Sequence, residues 1–225
     1  MILQLVTDCR RLAPGEQDER ACACLIQQAR TAAADGIDII QIRERDLEGR
    51  ALAALVRAVM AAVQGSRTRV VVNERLDVAL ACGAHGVHLR GDSMAAADVR
   101  RLAPAGFLVG RSVHSESDVV QAGPVDYLVA GAVWPTASKP DGHATLELSG
   151  LTRLVRAASV PVLAIGGVEL ESAASLREIG AAGVAAIGLW MGDTGACRVI
   201  PLDLLVQAFH AADDAANMRG HRPPR

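Results

Sequence analysis

"RACACLIQQARTAAADGIDIIQIRE", residues 20 to 44, changes its periodicity halfway along. Its first part, 20–35, is built of strong helix formers with apolar residues three and four apart. Its second, 37–44, is a short aliphatic, β-branched run. The same alternation extends in both directions. Strand candidates are "ILQLVTD" (2–8), "IDIIQIRE" (37–44), "RVVVN" (69–73), "GVHLR" (86–90), "LVGRSVH" (108–114), "VDYLVAGAV" (125–133), "VPVLAIGG" (160–167) and "GVAAIGLW" (183–190). Helical segments such as "EGRALAALVRAVMAAVQ" (48–64) and "ESAASLREIG" (171–180) lie between them. Near-continuous apolar strands separated by helices need both sheet faces covered, which implies a parallel sheet. Right-handed crossovers then leave an open doubly wound sheet or a closed barrel, and eight repeats favour closure. The expected fold is α/β, a single (β/α)8 TIM barrel over residues 1–215. The charged tail "AADDAANMRGHRPPR" (211–225) is expected to be disordered over 216–225.

The chain of 225 residues suits one barrel without a second domain. With 51% hydrophobic residues, only two Trp, one Tyr and two Phe, and a formal net charge of −2, the core must be aliphatic. The surface has no general attraction for polyanions, so a nucleic-acid partner is not expected. The apolar opening "ILQLV" (2–6) runs at once into Thr7, Asp8 and Cys9, which fits neither a secretory segment nor a membrane span; a cytoplasmic protein is expected. Cys9, Cys22, Cys24, Cys82 and Cys197 are scattered, with no Cys-x-x-Cys pair, and read as small buried hydrophobes. Oligomeric state is left open, a homo-oligomer being compatible with the sequence.

In such a barrel the reacting groups sit at the C-terminal ends of the strands. There the sequence offers Gln41, Arg43 and Glu44 after strand two, Asn73 and Glu74 after strand three, and Arg90, Asp92 and Ser93 after strand four. Ser112 and His114 end strand five, Thr136, Ser138 and Lys139 follow strand six, Gly166 and Gly167 follow strand seven, and Gly188 follows strand eight. Residues two apart on a strand share a face, so Gln41 with Arg43, and Ser112 with His114, can both face the mouth. Backbone amides at Gly166–Gly167 and Gly188 stand where barrels commonly hold a phosphate. The whole set describes a site for two phosphorylated ligands and a divalent cation.

Plainer readings exist for single features. Glycines at a strand end often only permit a turn. Arg43–Glu44–Arg45, taken alone, reads as a solvated surface run. His85 and His88 fall on opposite faces and read as core packing. Lys139 is the one lysine in the chain, against 22 arginines. A compact ammonium there is either a survivor of compositional bias or a point charge that arginine's planar fork would not replace.

Taken together and in order, "QIRER" (41–45), "VVNERLDVALACGAHGVHL" (71–89), "GRSVHS" (110–115), "GAVWPTASK" (131–139), "PVLAIGGV" (161–168) and "GVAAIGLW" (183–190) resemble the thiamine phosphate synthase family and its relative, the TenI-like thiazole tautomerase. The resemblance covers residues 2 to 210. It implies a synthase that joins hydroxymethylpyrimidine diphosphate to thiazole phosphate, with Mg2+ assisting loss of pyrophosphate and the thiazole nitrogen capturing the pyrimidinylmethyl cation. By the same resemblance Gln41 would hold the pyrimidine. Arg43, Asn73, Ser112 and Lys139 would bind the diphosphate, with Lys139, Arg43 and Ser112 as the catalytic set. Arg45 stands where the synthase usually has lysine, and Arg45 and His114 are counted with the substrate-binding residues. Thr136 and Ser138 match the hydroxyl pair beside the thiazole phosphate, Gly166 and Gly167 match its backbone cradle, and Gly188 stands where a serine is common.

The metal positions depart from the family. Glu74 replaces an aspartate, Ser93 replaces another, and Asp92, one residue earlier, is the expected substitute, giving Glu74 and Asp92 as the Mg2+ ligands. The tautomerase's proton-transfer histidine is Ala132 here, and the first residue of its "HIRER" is Gln41. Two alternatives therefore stand beside the synthase: a thiazole tautomerase using His114, and a noncatalytic barrel that binds thiazole or thiamine phosphate.

Overall fold

The computed structural model describes residues 1–136, 144–193, 197, 199 and 201–220, with side chains to residue 211. Eight parallel strands close into one barrel in sequence order. They are β1 (Ile2–Val6), β2 (Ile39–Ile42), β3 (Arg69–Asn73), β4 (Gly86–Leu89), β5 (Leu108–Val113), β6 (Tyr127–Gly131), β7 (Val162–Ile165) and β8 (Gly183–Ala186). Closure is made by β1 against β8, with Ile2 opposite Gly183 and Leu5 opposite Ala186. The expected (β/α)8 barrel is the fold observed. Every strand except β3 is shorter than its sequence run, because flanking residues leave the ladder to form loops.

The outer layer comprises α1 (Cys9–Leu12), α2 (Asp18–Ala34), α3 (Gly49–Ala62), α4 (Leu76–Ala81), α5 (Ala96–Leu102), α6 (Glu116–Gln121), α7 (Glu147–Ala157), α8 (Ala173–Glu178) and α9 (Asp203–Gly220). On α2, Ala21, Cys24, Leu25, Gln28, Ala29 and Ala32 form the buried stripe that the helical spacing requires. Outward-facing strand residues such as Leu3, Leu5, Ile40 and Val72 join this helical layer in one core. Inward-facing Val6, Ile39, Val71, Tyr127, Val129, Leu163 and Ala185 form a second cluster inside the barrel. Alternation along each strand separates the two cores.

Four local features differ from the sequence reading. α1 follows β1 directly, in a stretch with no visible helical period; the Asp8 side chain accepts from the Arg11 amide at 3.1 Å and starts that turn. The run 183–190 is strand only to Ala186, after which Gly188–Trp190 form a 3-10 turn. Trp190 is fully buried there, its indole N–H donating to the Gln4 carbonyl at 3.0 Å. α9 continues to Gly220, past the residue 215 at which order was expected to end, and 221–225 lie outside the described residues. Finally, Cys24 on α2 forms a disulfide with the exposed Cys197, so these two are not simply small hydrophobes. A separation of 173 residues put that pairing beyond any spacing argument.

Candidate active site

Along the barrel axis the interior changes from aliphatic to polar. Gln4, fully buried, donates to the Gln41 side-chain oxygen at 2.6 Å, and Gln41 in turn donates to Asn73 Oδ1 at 2.9 Å. Such a row of amides fixes the rotamers of Gln41 and Asn73 before any ligand arrives, since neither can turn without stranding a buried partner.

Opposite this row, Tyr127 Oη lies 3.3 Å from His88 Nδ1, and His88 Nε2 lies 2.9 Å from Ser112 Oγ. Burial pushes the Tyr127 pKa up and pulls that of His88 down to about 3, so the phenol keeps its proton and the imidazole stays neutral. The phenol's O–H has no other acceptor among the described residues, so it donates to Nδ1. The ring proton then sits on Nε2 and is given to Ser112 Oγ, which leaves the serine O–H for a ligand. Gly110 makes room for this stack, because a Cβ there would strike the Tyr127 ring and lie 2.6 Å from His88 Nδ1. His88 is thus more than the core packing its spacing suggested. Its signal was in the sequence only as a polar residue on the inward face of β4.

These groups open into a cavity of about 460 Å3, lined by Gln41, Arg43, Arg45, Asn73, Asp92, Ser112, His114 and Thr136 among others. Burial, then the neighbouring Arg45, holds the Arg43 pKa below its usual value. Glu44 does not belong to a solvated run. It is buried, accepting from Thr7 Oγ1 at 2.5 Å and from the Cys9 amide at 3.1 Å. Burial and then its contact with Glu44 push the Cys9 thiol up, so this cysteine is no ready nucleophile. His114 Nδ1 meets the Gly131 carbonyl, and Nε2 has no hydrogen-bond partner among the described residues. Arg111, absent from the sequence reading, is buried and donates to the carbonyls of Gly91 at 3.0 Å and of Ser93 at 3.4 Å, pinning the loop after β4.

Glu74, at a positive φ of 64°, turns its carboxylate to that loop. It accepts from the Arg90 amide at 2.6 Å and from Ser93 Oγ, and lies 3.7 Å from Arg90 Nε. Asp92 takes the same guanidinium at 2.7 Å, a hydrogen bond that holds its carboxyl below the usual range. Among the described residues no three His, Cys, Asp or Glu side chains gather as a metal site. Two carboxylates already drawn together by one monovalent cation do fit a hard divalent ion that takes its remaining oxygens from phosphate and water.

A second cavity of about 340 Å3 adjoins the first, lined by Arg11, Thr136, Gly166, Gly167, Gly188 and Leu189 among others. Gly166 and Gly167 have φ of 94° and 64°; a Cβ on Gly167 would come within 2.5 Å of the Pro135 carbonyl oxygen. Among the described residues no protein acceptor takes the amides of Gly166, Gly167, Gly188 or Leu189. Ser138 and Lys139 lie outside the described residues.

A (β/α)8 barrel with two joined cavities, each carrying convergent polar groups, at the C-terminal ends of its strands is the architecture of a barrel that handles small anionic ligands. Residues 14–189 match the thiamine monophosphate synthase family, TMP-TENI, and the chain belongs to it. It is 38% identical over 167 residues to a thiamine-phosphate synthase of Methanoculleus marisnigri, covering 73% of this chain and 79% of that one. To the thiamine-phosphate synthase of Roseiflexus castenholzii it is 36% identical over 193 residues, covering 85% and 81%. Its structure is similar to that of a thiamine phosphate pyrophosphorylase from Pyrococcus furiosus, with a TM-score of 0.76, 27% identity, and coverage of 95% and 96%.

Proposed function

We propose that the chain is a thiamine phosphate synthase, a transferase that joins hydroxymethylpyrimidine diphosphate to thiazole phosphate and releases pyrophosphate. The observation that carries this reading is the common wall of the two cavities: Thr136, Ile165, Gly166 and Ile187 line both. A diphosphate ester in the larger cavity and a phosphate monoester in the smaller would bring their heterocycles together across that wall.

In the reaction the bond between the pyrimidinylmethyl carbon and the diphosphate oxygen breaks, its electron pair leaving with pyrophosphate. The thiazole nitrogen gives its lone pair to the same carbon. Gln41, its rotamer held by Gln4 and Asn73, would orient the pyrimidine. Arg43, Arg45 and the O–H of Ser112 would bind the diphosphate, and the two guanidinium charges count most as the group gains a further negative charge on leaving. Lys139 is assigned to that group from the sequence. Mg2+, held by Glu74 and Asp92 with diphosphate oxygens, would supply further neutralisation of the leaving charge. Amides of Gly166, Gly167 and Gly188 would hold the thiazole phosphate, beside Thr136 and Ser138. We assign the reaction to the cytoplasm, with small molecules as its partners. No helix among the described residues is long and apolar enough to cross a membrane.

Pyrophosphate release, followed with each substrate omitted in turn, tests this reading: release should need both substrates, and release from the diphosphate at the same rate without thiazole phosphate would overturn it. A second reading, thiazole tautomerase, is favoured by His114, whose Nε2 has no partner among the described residues and which lines the larger cavity with Ala132. It requires isomerisation of a thiazole carboxylate phosphate without pyrimidine or metal, abolished in His114→Ala.

A further inference from the structure

Arg11 is the cation of the second cavity, and neither the family resemblance nor the sequence motifs assign it a role. It lies on α1, the turn that follows β1, and its backbone is fixed by Asp8. Its side chain lines the cavity with Gly166, Gly167 and Gly188. A Cβ placed on Gly188 would stand 3.0 Å from Arg11 Nη2, so the guanidinium occupies the space that a side chain at 188 would claim. The neighbouring Arg10 is paired with Asp46, whereas the Arg11 guanidinium has no ion pair or hydrogen-bond acceptor among the described residues. Glu169, the carboxylate that lines the same cavity, is engaged with the backbone of Ser172. Among the described residues this half-buried guanidinium and the amides of Gly166, Gly167 and Gly188 share one cavity without a protein acceptor for any of them, a convergence of donors that suits an anion.

We propose that Arg11 binds the phosphate of the second ligand, a phosphate monoester on a small heterocycle, and that Gly188 and Arg11 are one exchange. In the family resemblance a serine hydroxyl is common at 188. Here a guanidinium from the other end of the chain takes over that contact, beside a residue with no side chain to crowd it. Guanidinium meets phosphate with two parallel N–H donors, so the exchange gives a stronger and more salt-sensitive grip than a single hydroxyl. The inference rests on the synthase reading for the identity of the ligand, though not for the presence of an anion site.

Calorimetric titration of the whole chain tests it, using thiazole phosphate, the dephosphorylated thiazole alcohol and inorganic phosphate as probes. Arg11→Ala should weaken thiazole phosphate by roughly 10- to 100-fold and leave the alcohol unchanged. Arg11→Lys should fall between, and Gly188→Ser placed on Arg11→Ala should regain part of the loss. Circular dichroism of each variant confirms folding. Equal affinity of wild type and Arg11→Ala for thiazole phosphate would overturn the assignment and leave the synthase reading standing. Arg11-dependent binding of inorganic phosphate without binding of thiazole phosphate would uphold the anion site and sink the synthase reading. Absence of binding to every probe overturns both.

Discussion

The two cavities at the barrel mouth prepare for anions by different means. In the larger, side chains do the work, and three of them are held by other side chains: Gln41 by Gln4 and Asn73, Ser112 by His88, Asp92 by Arg90. In the smaller, the donors are backbone amides at three glycines, and one side chain, Arg11, supplies the charge. A wall of side chains can distinguish a pyrimidine by its edge. A cradle of amides recognises only that a phosphate is present, and depends on backbone shape that a single methyl group would spoil.

This contrast can be sharpened by substitution. Lys139→Ala should lower kcat by roughly 100- to 1,000-fold, as removal of a group that meets leaving charge does elsewhere, with Lys139→Arg failing to restore it. Steady-state kinetics would check this, and unaltered turnover would remove lysine from the mechanism. Gly167→Ala forces a Cβ against the Pro135 carbonyl at positive φ. It should raise KM for thiazole phosphate tens of fold, leave KM for the diphosphate near normal, and cost about 1–3 kcal/mol in urea unfolding. A rise in both KM values would mean that the two cavities are not separable.

Tyr127→Phe keeps the ring but frees His88 to change tautomer. Turnover is expected to fall about tenfold, in line with the loss of one buried hydrogen bond, while nitrogen NMR reports a shift of the ring proton away from Nε2. Wild-type ring shifts in the variant would contradict the assigned direction. The same histidine sets a pH dependence. Because burial lowers its pKa from 6.5 to about 3, the unfolded chain binds a proton that the folded chain refuses in that window. Its neutral burial costs no stability above about pH 6.5, and stability then falls toward pH 3 by up to about 1.4 kcal/mol per pH unit. Urea midpoints from pH 7.5 to 4.5 should decline, and His88→Asn should flatten part of that slope; parallel slopes would deny His88 this role. Smallest of all, Arg90→Ala releases Glu74 and Asp92 from their guanidinium and should lower the Mg2+ concentration for half-maximal rate a few-fold. An increase would show that Arg90 helps to bind the diphosphate.

The periodicity that flips from helical to extended between residues 20 and 44 was enough to give the barrel, since hydrophobic alternation is local and repeated. The side-chain cavity was legible too, because Gln41, Arg43, Asn73 and Ser112 lie on or just beyond strands whose inward face is set by parity. What escaped the sequence depends on partners far along the chain. Glu44 looked solvated between two arginines until Thr7 and the Cys9 amide claimed it. His88 looked like filler until β5 and β6 brought Ser112 and Tyr127 beside it. Arg11 lies on a four-residue helix too short to show a period, and its neighbour Gly188 is 177 positions later.

On the proposed function, ligands in the two cavities react with each other across the common wall. The most direct measurement is the thiochrome fluorescence assay for thiamine phosphate, run on the wild-type chain with hydroxymethylpyrimidine diphosphate, thiazole phosphate and Mg2+. Fluorescent product should form, need both substrates and disappear with chelator. Folded protein that binds both ligands yet forms no thiamine phosphate would contradict it.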